Sequence, residues 1–184
     1  ITETWLNASN FELYGLPGYS SINKYRQNRV GGGIALYIRE GIQFEERTDI
    51  SIFNDELELL CIEIDKSCFD SVSNILIILV YRIPDSNLDL FQQHLTPYLE
   101  TVVKEKKLCY LLGDLNIDLL KHEIHSPTSN FLDLMYGNNM LPLITKPTRV
   151  TSTSCTLIDH MFTNNINSSN STHQGILCTS ISDH

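Results

Sequence analysis

Tyr110-Leu-Leu-Gly-Asp-Leu-Asn-Ile-Asp118 reads as the end of a strand, Leu108 to Leu112, that stops at Gly113 and delivers polar side chains to a sheet edge. Asp114 and Asn116 stand two apart, so strand geometry sends both to the same face. A carboxylate placed there can bind a metal ion or take a proton from water. An amide beside it can hold a phosphate oxygen without adding charge. The same pair can also do no more than close a turn through side-chain hydrogen bonds. Taken alone, the stretch leaves both readings open.

Working outward, Asn74 to Tyr81 is a continuous Ile/Leu/Val run, as expected of a strand buried on both faces, and Leu57 to Ile64 is a second strand candidate. Asn87 to Lys104 places Leu88, Phe91, Leu95, Leu99 and Val102 three or four apart, which predicts an amphipathic helix. Gly31-Gly32-Gly33 leads into Ile34 to Arg39, where Ile34, Leu36 and Ile38 alternate as in a half-buried strand. Downstream, a second helix is expected over Ser129 to Tyr136, ending before Gly137-Asn138. Cys155 to Thr163 and Gly175 to Ser180 read as the last strands, with Asn164 to Thr172 a polar surface loop. The alternation of strands and helices, without an internal repeat, predicts one α/β domain over residues 1–184, a layered sheet sandwich with helices outside.

Composition narrows the function classes. With 184 residues, 42% hydrophobic and 19% charged, the chain is neither disordered, collagen-like nor coiled coil. Its formal charge of −9 means that any nucleic-acid role must rest on a local site and not on bulk electrostatics. The longest apolar run, Ile75 to Tyr81, falls far short of the ~20 residues that span a bilayer, so no membrane is expected as a partner. No cationic start followed by an apolar stretch supports a signal peptide. The 5 cysteines form no CxxC pair, which fits reduced thiols in an intracellular protein. Asn-x-Ser/Thr triplets at Asn7, Asn167 and Asn170 arise readily by chance in so Asn/Ser-rich a chain.

Further acids, imidazoles and a phenol sit at element ends. Thr2-Glu3-Thr4-Trp5-Leu6 puts a carboxylate beside an aromatic, and Val80-Tyr81-Arg82-Ile83-Pro84 ends the buried strand with a phenol and a guanidinium. Leu157-Ile158-Asp159-His160 and Ser182-Asp183-His184 supply the rest. Singly, each is more often structural. His160 should face away from Asp159 and pack in the core, while His122 and His125 flank a polar loop and should be solvated. Arg82 and Arg149 read as exposed arginines, with DNA phosphates as the less favoured partner. Trp5 is expected in the core in preference to a base-stacking role.

In this order the set resembles the endonuclease/exonuclease/phosphatase family, and within it the apurinic/apyrimidinic-endonuclease-like domain of non-LTR (LINE-type) retrotransposons. The matching blocks are Glu3-Thr-Trp-Leu6, Gly31-Gly-Gly-Ile-Ala-Leu-Tyr-Ile38, Val80-Tyr-Arg-Ile-Pro84, Gly113-Asp-Leu-Asn-Ile-Asp118, Pro147-Thr-Arg-Val150, Thr156-Leu-Ile-Asp-His-Met-Phe-Thr163 and Ser182-Asp-His184. Gly-Asp-x-Asn and Ser-Asp-His mark the wider family. The Thr156 block and the Pro-Thr-Arg before it point to the retrotransposon branch.

The resemblance implies a four-layered α/β/β/α sandwich of the DNase I-like type, α+β in class, lacking its first strand and that strand's metal-site Asn here. It implies a domain truncated at both ends. By position, Glu3 and Asp183 would ligate Mg²⁺, for which Mn²⁺ could substitute. Asp114 would orient or deprotonate water, with Asn116 holding water and phosphate. Tyr81 would contact phosphate oxygens, and Thr156 would reach a phosphate or simply pack in its strand. His184 would face the scissile phosphate, with Asp159 fixing its tautomer; whether Asp114 or His184 is the base stays open.

The expected activity is Mg²⁺-dependent nicking of DNA in the nucleus, leaving a 3′-hydroxyl from which a fused reverse transcriptase could prime. The alternatives are a hydrolase of small or lipid phosphates, a secreted DNase, and a non-catalytic retroelement remnant. Setting aside Glu3, Asp114, Asp159 and Asp183 still leaves 18 acids against 13 bases, so intrinsic DNA affinity should be weak.

Overall fold

The computed structural model describes residues 1–27, 31–54, 56–69, 71–165, 175–177 and 184. Its strands are β1 (Tyr19–Lys24), β2 (Ile34–Arg39), β3 (Phe44–Glu46), β4 (Ile52–Phe53), β5 (Leu57–Ile64), β6 (Ile75–Arg82), β7 (Leu108–Asp114), β8 (Leu141–Pro142), β9 (Arg149–Val150), β10 (Cys155–Thr156) and β11 (Asp159–Thr163). The helices are α1 (Leu88–Glu105) and α2 (Ser126–Gly137).

β6 is the axis of the molecule. Its side chains alternate, with Leu76, Ile78 and Val80 in one apolar cluster and Leu79 and Tyr81 in another. The main sheet runs β3-β5-β6-β7-β11-β8, with β4 also paired to β5. Among the described residues, only β6 and β7 are parallel within it. A parallel pair needs a crossover, which α1 provides. One face of the sheet packs on Phe91, Leu95, Leu99 and Val102 of α1 and on Phe131 and Met135 of α2. At ~1.5–3 kcal/mol for each buried side chain, the four α1 residues contribute roughly 6–12 kcal/mol of gross burial.

The other face packs against an antiparallel ribbon, β1 with β2, through Ile22, Ile34, Leu36 and Ile38. The chain start runs along the ribbon's free edge: Ala35 N–H donates to the Ile1 carbonyl, and Thr4 N–H to Gly33. Helix, sheet and ribbon thus form three layers among the described residues. The helical layer expected beyond the ribbon is not among them. The class is α+β around a mixed sheet.

Several expectations need correcting. The strand expected over Cys155 to Thr163 is two strands in different sheets, because the chain turns inward at Leu157-Ile158. There Leu157 N–H donates to the Asp118 carboxylate, and its carbonyl accepts from Leu119. Helix α2 starts at Ser126, three residues before the expected start at Ser129, since Pro127 suits a first helical turn. β1 was not anticipated, because Tyr19-Ser-Ser-Ile-Asn-Lys24 is too polar to show alternation. The expected strand Gly175 to Ser180 lies partly outside the described residues, as do Asn167, Asn170, Cys178 and Asp183. Cys61, Cys68, Cys109 and Cys155 are free thiols. Among the described residues no helix is long and apolar enough to cross a membrane.

Candidate active site

The C-terminal ends of β6 and β7 and the start of β11 meet on the ribbon face of the sheet. β7 reaches that edge through Gly113, whose φ is +145° and where an added Cβ would run into the Val80 carbonyl. Only glycine lets the two backbones approach so closely. The next residue, Asp114, is 5% exposed and stands directly across from Asp159 in the β7–β11 ladder. Its Oδ1 accepts from Asn116 N–H at 3.0 Å, which holds Asn116 in the left-handed region at φ 49°. The Asn116 side-chain amide donates to the Arg82 carbonyl at 2.9 Å.

Asp159 is fixed from behind by a residue that sequence reasoning missed. Thr148 Oγ1 accepts from Asp159 N–H at 3.0 Å and from Ile158 N–H at 3.3 Å. The Asp159 Oδ2 contacts His184 Nδ1 at 2.8 Å. One donor atom from each of Asp114, Asp159 and His184 lies within 4.8 Å of the others. The three, with Thr148, line a cleft of about 400 Å³. Crowding shows in the charge: the Asp114 carboxyl is pushed up to about 6, first by burial and then by Asp159 and Glu3.

Tyr81 stands on the same face, 2% exposed, opposite Glu58 in the β5–β6 ladder. Its phenol is held well above its usual range by burial and by the charges of Glu3, Asp114 and Glu58. Glu58 is a second missed residue. It is fully buried, accepts from Arg26 Nε at 2.5 Å and from Gly33 N–H at 2.8 Å, and anchors the glycine segment beside the site. In Leu-Glu-Leu-Leu-Cys-Ile-Glu-Ile it shares the face of Leu60, Ile62 and Ile64, but nothing local signals its Arg26 partner.

The other predicted residues fall as follows. Glu3 is exposed, with φ 54°, near enough to act on Tyr81 and Asp114 but outside the three-residue cluster. Asp183 lies outside the described residues. Thr156 sits on β10 opposite Arg149, away from the cleft lining that includes Thr148. His160 is a core histidine as expected: its Nε2 bonds the Ile117 carbonyl at 2.8 Å, and burial lowers its pKa to about 4. His122 and His125 are exposed, also as expected.

Two expectations are reversed. Arg82 is 5% exposed and donates to the carbonyls of Leu115, Asn116 and Ser86, so it shapes the Asn116 loop and is not a surface phosphate contact. Trp5 is 57% exposed, not core. Its N–H bonds the Gly32 carbonyl and its φ of 56° turns the indole outward.

The facing carboxylates of Asp114 and Asp159 concentrate negative charge that a divalent cation beside them would offset. Buried and facing carboxylates raise one another's proton affinity unless a positive charge sits between them. His184 is committed through Nδ1 to Asp159.

The sequence profile of the "Endonuclease/Exonuclease/phosphatase family" matches residues 1–184. No curated protein matches the chain. Among solved structures, the endonuclease domain of TRAS1, a telomere-specific non-LTR retrotransposon, aligns with a TM-score of 0.61 at 13% identity, covering 82% of this chain and 68% of that one. The Xenopus laevis APE2 catalytic domain aligns with a TM-score of 0.53 at 14% identity, covering 82% and 67%. The 3′ phosphatase NExo from Neisseria, bound to product DNA hairpin, aligns with a TM-score of 0.56 at 14% identity, covering 89% and 74%. At such identities the likeness is one of fold.

Proposed function

The chain belongs to the endonuclease/exonuclease/phosphatase family, and from that membership we propose that it is a divalent-metal-dependent phosphodiesterase that nicks DNA to leave a 3′-hydroxyl. The observation that carries the reading is the cluster itself: buried Asp114 facing Asp159, with His184 held on Asp159. Members of the family are typically hydrolytic nucleases and phosphatases, and they generally use divalent metal ions.

In this reading Asp114 takes the proton of the attacking water. Its carboxyl at about 6 makes it a stronger base than an ordinary surface aspartate while leaving it ionised at neutral pH. The water oxygen attacks phosphorus in line, the bond from phosphorus to O3′ breaks, and the leaving oxygen takes a proton from solvent water to become the 3′-hydroxyl. Asp159 fixes the tautomer of His184, whose Nε2 then meets a phosphate oxygen and its developing charge. Asn116 and Tyr81 hold the remaining phosphate oxygens, and Thr148 keeps Asp159 in place. Glu3 and Asp183 would hold the cation, Mg²⁺ or Mn²⁺, which supplies charge neutralisation at the phosphate when bound. In the parent polypeptide such a nick, made in the nucleus, would prime a fused reverse transcriptase.

The test is nicking of supercoiled plasmid in Mg²⁺ by the chain and by its Asp114→Asn and His184→Ala variants. Each substitution should lower the rate by about 10² or more, EDTA should abolish it, and a polymerase should extend the nick directly. Rates within a few-fold of the parent for both variants would refute the assignment. Turnover confined to small phosphate monoesters would move the chain to the phosphatase side of its family.

A further inference from the structure

We propose that the exposed indole of Trp5 is a stacking platform for a nucleobase beside the cleaved phosphodiester; this rests on the DNA-nicking reading above. Trp5 is the chain's single tryptophan, and 57% of its surface is open. Side chains of its apolar area are ordinarily buried or reserved for contacts with a partner.

Its exposure is built in. Trp5 N–H donates to Gly32 at 2.9 Å, and Thr4 N–H to Gly33 at 3.1 Å, so the backbone that carries the ring is pinned to the ribbon. Glu3 and Trp5 both take positive φ, at 54° and 56°, a conformation that residues with side chains seldom adopt. Among the described residues, side-chain-free backbone borders the ring: a Cβ at Gly31 would lie 3.9 Å from Trp5 Cζ2.

Its reach matches the substrate. Thr2 lines the cleft, and Trp5 lies three residues beyond it. Three residues span at most ~11 Å, which is about three base steps at ~3.4 Å each. A ring held there is within reach of a base up to about three nucleotides from the phosphate in the cleft. Stacking also suits a chain of charge −9, because every base offers a π-face and the contact needs no cation on the protein.

The single tryptophan makes its own probe. The Asp114→Asn chain in Mg²⁺, which should bind without cutting, is titrated with a fluorescein-labelled DNA duplex while indole emission and label anisotropy are both followed. The same duplex is then tested with an abasic spacer moved one position at a time. The expected result is quenching of the indole on binding, relieved by the spacer at one or two adjacent positions while anisotropy still reports a complex. Trp5→Ala should weaken binding roughly 10-fold and erase the difference between base-bearing and abasic duplex, whereas Trp5→Phe should keep most of both. Unchanged emission on a duplex that binds, or quenching indifferent to the spacer, would overturn the stacking role and leave the nuclease reading standing. No DNA binding together with no plasmid nicking by the parent chain would overturn both.

Discussion

Asp114 is held by two opposed demands. The chemistry proposed above asks for its carboxylate, while burial and the facing charges of Asp159 and Glu3 favour its protonated form, at a pKa of about 6 against an ordinary 3.8. A carboxyl whose folded pKa is raised stabilises the fold below its unfolded pKa and loses that contribution as pH climbs. The metal-free protein should therefore lose stability between pH 3.8 and about 6 on account of this group, and stay level in that respect above. At ~1.4 kcal/mol per pKa unit, Asp114→Asn should stabilise the metal-free chain at pH 7 by up to about 3 kcal/mol while lowering activity. Thermal melts with and without Mg²⁺ check this: cation should raise the Tm of the parent more than that of the variant. That Asp114, Asp159 and His184 would come together was legible from the order of their short motifs, as in Gly113-Asp-Leu-Asn116. Exposure was not. Arg82 and Trp5 exchanged their expected environments because three backbone carbonyls claim the guanidinium and a glycine edge claims the Trp5 backbone. Apart from Ser86, none of these partners is near in sequence.

At the scale of elements, the sheet is tied at two opposite ends by different means. At the site end, β6 and β7 close on Gly113. Gly113→Ala must displace the Val80 carbonyl and strain its own backbone, so a loss of about 2–6 kcal/mol in chemical denaturation is expected, with nicking lost in parallel. At the far end, Arg47 donates to Asp49, to Glu63 at 2.6 Å and to Glu105 at 2.6 Å, and Lys107 bridges the same two glutamates. This network pins the end of α1 to β5. The Arg47 hydrogen bond draws the Glu105 carboxyl down to about 2 from 4.5. Its stabilisation is thus present above pH 4.5 and lost as pH falls towards 2. Partial exposure keeps the network modest, and Arg47→Ala should cost about 1–2 kcal/mol at neutral pH and much less near pH 3, as urea midpoints would show. The long elements were readable from periodicity: α1 and β6 each end within one residue of expectation. The short ones were not, because β9, β10 and the bend at Leu157-Ile158 depend on Asp118 and Thr148, whose roles appear only once the chain has folded.

For the whole molecule, charge and topology set the terms of its working life. With a formal charge of −9, duplex binding should depend weakly on salt, with a log–log slope shallower than about −3 in filter binding. A steeper slope would mean a basic surface that the charge balance does not suggest. The pairing of β7 with β11 has a further consequence for how the protein comes into being. Tyr81 and Asp114 leave the ribosome early, but Asp159 and His184 follow by as much as about a hundred residues, or roughly 5–20 s at 5–20 residues per second. Until then the β6–β7 pair lacks its neighbouring strand, and Asp114 has no facing carboxylate. A nascent chain can therefore hold most of its core before the site is assembled, so on the nicking reading proposed above it would acquire its chemistry only after the strand that bears Asp159 has docked.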